Sequence, residues 1–341
     1  MTEHIVVPRE RHGIELDELL CLLYPLLNKG FLRDLVRDGG VLVDGERVMP
    51  SVHLRTDQVL SIELDEDLLD VPRAPVAPRL ELEVLYEDEE VLVVDKPAGL
   101  PVEPERWERG NACLSGALLE LALRRSSVEP ASPTSPTAGL DFRPRLVHRI
   151  DKDTTGAVLV AKELETERRL REAFASGEVH KSYLALVEGE YPLAGDEEEQ
   201  LDSPIGPDRR RSGRMRIDEG GGKPSLTAVR VEQRFRGYTL LRCQPLTGRT
   251  HQIRVHLSGA GFPLVVDPVY GRRDALRLSE FKSGYRSKPG RPESPLIDRL
   301  TLHAHRIGFP TSGGRRQEVE APVPKDLTRV LKQLAKVRPP R

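Results

Sequence analysis

The sequence predicts an α+β protein with a mixed, largely antiparallel sheet, preceded by a small αα-β module. Three observations lead there. Strand-like and helix-like segments alternate irregularly along the 341 residues, and several strands join through short turns, unlike the regular alternation of a doubly wound fold. No segment recurs at a fixed period. A stiff proline-rich stretch, DVPRAPVAPRLEL from Asp70 to Leu82, divides the chain. The expected division is residues 1–66 as the module, 67–82 as the linker and 83–341 as the larger domain.

The elements follow in order. IELDELLCLLYPLL, from Ile14, carries apolar residues at helical spacing. FLRDLVRDGG is a second short helix, closed by glycine. VLVDGERV places an Asp-Gly turn between two apolar runs, a hairpin signal, and QVLSIEL alternates as a strand. After the linker, LEVLYEDEEVLVVDKPAGLPVEP reads as strand, acidic turn, strand, then a Lys-Pro-Ala-Gly turn at Lys96–Gly99. SSVEPASPTSPTAG, from Ser126, is low-complexity and reads as a surface loop. HRIDKDTTG, His148–Gly156, is a loop feeding AVLVA, a short run suited to a buried strand. ELETERRLREAFASGEV is an amphipathic helix, and HKSYLALVEGE the next strand. TAVRVEQRF and YTLLRCQP are strands, with a helix from Gln252 to Leu257.

Composition narrows the class. Hydrophobic residues make up 38%, enough for a sizeable core. Charged residues make up 31%, yet the formal net charge is −2, so any nucleic-acid surface must come from local clustering. Cys21, Cys113 and Cys243 form no CxxC, which argues against a zinc ribbon and a disulfide framework and favours a reducing cytoplasm. The N-terminus lacks the apolar core of a signal peptide, and no run approaches the ~18 apolar residues of a membrane span. A cytoplasmic protein with no membrane contact is expected. There is no GxGxxG and no Walker loop, so no cofactor is expected.

Two polar clusters bear chemistry. In HRIDKDTTG, Asp151 and Asp153 sit between a basic pair and two threonines. A carboxylate beside arginine tends to stay ionised, and an ionised carboxylate serves as nucleophile or base. The alternative is an aspartate that caps a turn, with Thr154 or Thr155 doing likewise. In TGRTHQIRVH, a helix from Gln252 would place His251 and Arg254 three apart on one face, a grouping suited to phosphate or carboxylate. His251, Val255 and His256 make no HExxH, and His303 and His305 read as surface or strand histidines, so no metal is expected. Tyr183, in an apolar strand, reads by itself as core. DRRRSGRMR, Asp208–Arg216, is either a solvated loop or a phosphate contact. Gly271–Arg316 holds eleven Lys/Arg against four Asp/Glu, a candidate electrostatic footprint.

Several stretches together carry a resemblance. HRIDKDTTG resembles the signature loop of the RluA-type pseudouridine synthases, His-Arg-Leu-Asp-x-x-Thr-Ser-Gly; Ile150 replaces leucine and Thr155 serine. KSYLALVEG, Lys181–Gly189, resembles the family's second motif, and LTGRTHQIRVHLSGAGFPLVVDPVYG, Leu246–Gly271, its third. EDEEVLVVDKPAGLPV and LTLHAHRIGF match the flanking pattern, in order, from about Leu80 onward. The first module resembles the S4-type RNA-binding domain, with three departures, one being Asp44 in place of the usual asparagine of the turn. Glu15 and Glu18 fall where basic or neutral residues are common, and Met1–Glu66 holds seven Lys/Arg against thirteen Asp/Glu. Either a local face of Lys29, Arg33 and Arg37 binds RNA, or the module serves a protein contact.

The resemblance implies a pseudouridine-synthase-like catalytic domain and isomerisation of uridine in structured RNA. Asp151 takes the position of the nucleophile, attacking C1′ of the ribose or C6 of the base. Tyr183 stacks on the flipped base, and Arg254 pairs with the aspartate. Arg149 fills the gap left by the flipped nucleotide, while Ile253, Arg249 and His251 contact the substrate. The implied target is large-subunit ribosomal RNA, in free form or in ribosomal assembly intermediates, acted on by a monomer. Transfer RNA is the alternative, and a non-catalytic RNA-binding or assembly factor is a second. A carboxylate glycosidase is a third rival, for which Asp153 is the only second acid nearby in sequence.

Overall fold

The computed structural model describes residues 2–25, 27–64, 81–104, 112–125, 142–286, 290 and 292–340. The expected linker at 67–82 and the low-complexity loop from Ser126 lie almost wholly outside those residues. The chain forms two compact units, Met1–Leu82 with Glu103–Arg145, and Glu83–Val102 with Leu146–Arg341.

In the first unit, β1 (Thr2–Val6) precedes α1 (Leu16–Leu23) and α2 (Lys29–Asp38), followed by β2 (Val41–Val43), β3 (Glu46–Arg47) and β4 (Val59–Glu63). The sheet order is β1-β4-β2-β3. Asn28 caps α2 by accepting the Gly30 N–H at 2.7 Å, and Gly39, at φ 88°, ends it in the left-handed region. Asp44 and Gly45 both take positive φ, as a tight turn between β2 and β3 requires. β1 escapes a sequence reading because only its Ile5 packs against the core. It is held instead by pairing with β4 and by the buried Tyr24, whose hydroxyl donates to Glu3 at 2.8 Å. A third helix, α3 (Leu114–Arg125), also belongs to this unit: Leu119, Ala122 and Leu123 pack with Ile14, Leu22 and Phe142. The sequence reading places residues 103–145 with the larger domain; the apolar face of α3 finds its cover in the first unit.

α1 buries two acids, Asp17 and Glu18. Lys29 reaches both, Arg33 lies 3.3 Å from Asp17, and Arg145 pairs with Glu18. Burial pushes the Glu18 carboxyl up, but Arg145 and Lys29 outweigh it and bring its pKa down to about 2.

The second unit runs β5 (Glu83–Glu87), β6 (Val91–Lys96), the short β7 (Arg145–Leu146, its first residue counted with the other unit), β8 (Thr155–Ala161), α4 (Leu164–Ala175), β9 (His180–Glu188), β10 (Glu198–Leu201), β11 (Ile205–Pro207), β12 (Met215–Ile217), β13 (Thr227–Phe235), β14 (Tyr238–Pro245), α5 (Gln252–Gly259), β15 (Leu302–Pro310), β16 (Arg316–Glu320) and α6 (Lys325–Val337). The main sheet has the order β10-β13-β14-β9-β15-β8-β6-β5, with β16 also on β15. Along this order only β15 and β8 run parallel. The α+β class with a mixed, largely antiparallel sheet therefore holds.

All seven residues of β8 are buried, which explains the apolar run from Ala157 to Ala161. β9 sorts its side chains by alternation: Leu184 and Leu186 join the core under α6, so Tyr183 and Lys181 face the other side. Gly156, the second residue of β8, sits at φ 115°, and a Cβ there would lie 2.2 Å from the carbonyl oxygen of Ala304 on β15. Gly156→Ala is expected to cost at least ~3 kcal/mol, combining backbone strain with a backbone collision. Urea unfolding of the variant checks this, and an unchanged midpoint would refute the close approach.

Candidate active site

The loop from His148 to Gly156 is fastened from several sides. Burial draws the His148 pKa down to about 3, so the ring is neutral and its Nε2 accepts the Leu159 N–H at 2.9 Å. The Asp151 carbonyl accepts the Thr154 N–H at 3.1 Å, closing a tight turn. Lys96 is fully buried, and its Nζ donates to the carbonyls of Lys152, Leu100 and Pro97 at 2.7, 2.8 and 2.9 Å. Burial lowers its pKa to about 7 against the opposing charges of Asp153, Asp151 and Asp95. This lysine ties the Lys-Pro-Ala-Gly turn to the aspartate loop. On the far side, Thr155 Oγ1 lies 2.9 Å from His303 Nδ1.

The second half of the site is the start of α5. Gln252 fills every hydrogen-bonding position it has: Oε1 accepts from Thr247 Oγ1 and Arg249 N at 2.7 and 3.0 Å, and Nε2 donates to Leu226 O and Thr227 Oγ1 at 2.9 Å each. His251, preceding the helix, sits at φ 57°, a left-handed conformation uncommon outside glycine. Its Nδ1 lies 2.8 Å from Tyr270 Oη, which also accepts the Met215 N–H at 2.8 Å. One turn on, Arg254 is 6% exposed and spans two carboxylates. Nη1 donates to Asp151 at 3.0 Å, while Nε and Nη2 form a two-pronged pair with Asp267 at 2.8 Å each. The guanidinium carbon lies 5.0 Å from the centre of the Tyr270 ring. Asp267 also accepts the N–H groups of Val269 and Tyr270 at 2.8 and 3.0 Å. Burial raises the Asp267 carboxyl, but Arg254 and these N–H groups more than offset it, so its pKa lies below the ordinary value.

A cavity of about 120 Å³ joins the two halves. Asp151, Tyr183, Arg254, Arg149, Ile253, Arg249 and His251 all line it, although they come from three separate stretches of sequence. Their engagement differs. Arg149 is exposed at the cavity, whereas Arg249 donates from Nε to the Pro224 carbonyl at 3.1 Å. Burial, with the Asp151 charge nearby, pushes the Tyr183 phenol well above its usual value, so it stays protonated at neutral pH. Burial lowers the Lys181 ammonium, and Lys181 lines the same cavity. The histidines weighed as metal ligands are engaged in hydrogen bonds: His256 with Thr227 and Ser203, His305 with the Ala321 carbonyl. Among the described residues no group of three or more His, Cys, Asp or Glu side chains could hold a metal ion.

Sequence reasoning missed Asp267, Tyr270, Lys96 and Lys181. Asp267 and Tyr270 lie in VVDPVYG, whose Asp-Pro step signals a turn but not a partner thirteen residues back. Lys181 was legible from strand alternation, two residues before Tyr183 on the same face. Lys96 gave no signal, because nothing in a Lys-Pro turn announces burial.

The RNA pseudouridylate synthase family matches residues 90–259. The ribosomal large subunit pseudouridine synthase D of Xanthomonas campestris pv. campestris is 35% identical over 337 residues, 96% of this chain and 91% of that protein. The protein of the same name from Pseudomonas aeruginosa is 35% identical over 334 residues, 97% of this chain and 95% of its own. Among solved structures, human RNA pseudouridylate synthase domain containing 1 aligns with a TM-score of 0.52 at 26% identity, covering 72% of this chain and 84% of that one. With an aspartate, a tyrosine and an arginine gathered in one cavity and relatives alike over nearly the whole chain, this protein belongs to the RNA pseudouridylate synthase family.

Proposed function

We propose that this protein converts specific uridines of large-subunit ribosomal RNA to pseudouridine, with Asp151 as its nucleophile. The observation that carries the reading is the chain Asp151–Arg254–Asp267, in which a buried arginine aims one carboxylate into a cavity shared with Tyr183. Asp267 holds Arg254 by two bonds, leaving the third for Asp151. The names of the relatives support the ribosomal target.

The reaction breaks N1–C1′, turns the base and forms C5–C1′. Attack of Asp151 on C1′ would expel the uracil with the N1 electron pair. The turned base would then attack C1′ through C5 and release the carboxylate. The C5 proton leaves last, and Asp151 stands where a base is needed; N1 regains a proton. Attack at C6 is the other route this placement allows. Tyr183, as a neutral phenol, serves as a stacking face and hydrogen-bond donor rather than as a phenolate base. Arg149, exposed at the rim, fits the gap left by the flipped uridine. Ile253 supplies an apolar wall, and His251 sits beside it.

The helix-helix-hairpin order of residues 1–66 supports an S4-like reading. Its Lys29, Arg33 and Arg37 are paired with Asp17, Glu18 and Asp34, so α2 presents little unpaired positive charge. A cytoplasmic monomer fits the expected reaction, and no helix among the described residues is long and apolar enough to cross a membrane.

Tritium release tests the proposal, because forming pseudouridine expels the hydrogen on C5. Unmodified large-subunit ribosomal RNA labelled at C5 is expected to release tritium, and transfer RNA to release none. Release from transfer RNA alone would move the target. No release from either RNA, or from ribosomal subunits assembled on labelled RNA, would leave an RNA-binding factor.

A further inference from the structure

α6 has one face that its own fold does not explain. Leu327, Val330 and Leu334 are fully buried against the core that includes Leu184, Leu186 and Phe235. On the outer side Lys325, Arg329, Lys332 and Lys336 recur at spacings of four, three and four, and all are exposed. They form a row about 16 Å long at 1.5 Å per residue. The helix's one acid, Asp326, is turned away and held by Arg299 through two bonds of 2.6 Å. Among the described residues none of the four cations is ion-paired. Some exposed arginines elsewhere in this unit do find acids, as Arg171 does with Glu167 and Arg306 with Glu318 and Glu320, whereas others, such as Arg210 and Arg236, form no ion pair among the described residues.

Helix stability does not account for the row. Like charges three and four residues apart repel on a helix surface, and Lys325 sits at the positive end of the helix dipole. The row also stands against the near-neutral total of the chain, a net charge of −2. A shallow concavity of about 330 Å³ runs along it, lined by Lys325, Thr328, Arg329, Lys332 and Gln333. An aligned cationic row beside a hydroxyl and an amide suits a backbone of regularly spaced phosphates. A lipid surface fits less well, because the apolar side of α6 is already packed inside the protein and has nothing to insert.

We propose that the outer face of α6 is a docking surface for the phosphate backbone of duplex RNA. The proposal rests on RNA being the substrate and adds a contact remote from the reacting uridine. α6 packs on the side of the sheet carrying Leu184 and Leu186, opposite to the side on which Tyr183 meets the cavity. The surface would hold a helical arm of the RNA through shape and charge, without reading sequence.

The test uses the full chain with Lys325→Gln, Arg329→Gln, Lys332→Gln and Lys336→Gln together. Glutamine keeps helix propensity, and none of the four lines the catalytic cavity. Affinity for a large-subunit ribosomal RNA fragment with duplex arms is measured over a range of salt, beside tritium release at saturating RNA. Binding is expected to weaken at least ~10-fold at low salt, with the slope of log Kd against log salt shallower by about two to four. Turnover at saturation is expected to stay unchanged. Unchanged affinity and slope would overturn the proposal. So would intact RNA binding with lost binding to vesicles containing phosphatidylserine, which would assign the face to a membrane. If the variant loses affinity but the wild type releases no tritium, the surface stands and the catalytic reading fails; the converse result separates them the other way.

Discussion

Replacing Asp151 by asparagine is expected to lower tritium release by at least ~10⁴-fold, the scale seen when a nucleophile is removed from an otherwise intact site. RNA affinity and unfolding midpoint are expected to change little. The amide keeps the size of the side chain, and its carbonyl can still accept the hydrogen bond that Arg254 donates at 3.0 Å. The Asp151 side chain is 23% exposed, so the change leaves no deeply buried group stranded. Retained turnover would remove Asp151 from the nucleophile's role. A matching fall in affinity would instead make it a binding residue.

Arg254→Met is expected to damage both stability and activity. The methionine preserves the apolar stem but strands Asp267, whose side chain is fully buried. Removing one partner of a buried ion pair costs about 3–5 kcal/mol, because the remaining charge is uncompensated. The pH dependence distinguishes this cause from a general packing defect. In the native protein the Asp267 pKa lies below 3.8, so its contribution is present above that value and is lost as pH falls through the folded pKa. In the variant, burial without arginine raises that pKa, so stability is favoured at low pH and lost as pH rises. The deficit in urea unfolding should therefore shrink between pH 7 and about pH 4. Adding Asp267→Asn should recover much of it at neutral pH. A deficit independent of pH, untouched by the second change, would refute the stranded-charge account. Activity should fall ~10²-fold or more, since Asp151 loses the group that aims it.

Legibility from sequence varied with the range of the interaction. The α2 stop at Gly39, the Asp44-Gly45 turn and the strand after Gly156 were readable because each obeys a local backbone rule. β1 and α3 were not, since their stability lies in partners far along the chain, β4 in one case and Leu22 in the other. The same holds in the site. Asp151, Tyr183 and Arg254 were marked by motifs, but the second carboxylate on Arg254 was not, and neither was the lysine beneath the aspartate loop.

The sequence by itself determined the α+β class, the family, and which aspartate, tyrosine and arginine to bring together. Those depend on residue type and short-range order, which the chain states outright. Tertiary structure alone decided three matters. It decided that Arg254 is held by Asp267 before it reaches Asp151. It decided that the cations of α2 are already committed to Asp17, Glu18 and Asp34. It also left those of α6 without a partner among the described residues. The reason is physical in each case: a charge is defined by what stands within a few ångströms of it, and folding sets that neighbourhood by joining residues that sequence keeps apart.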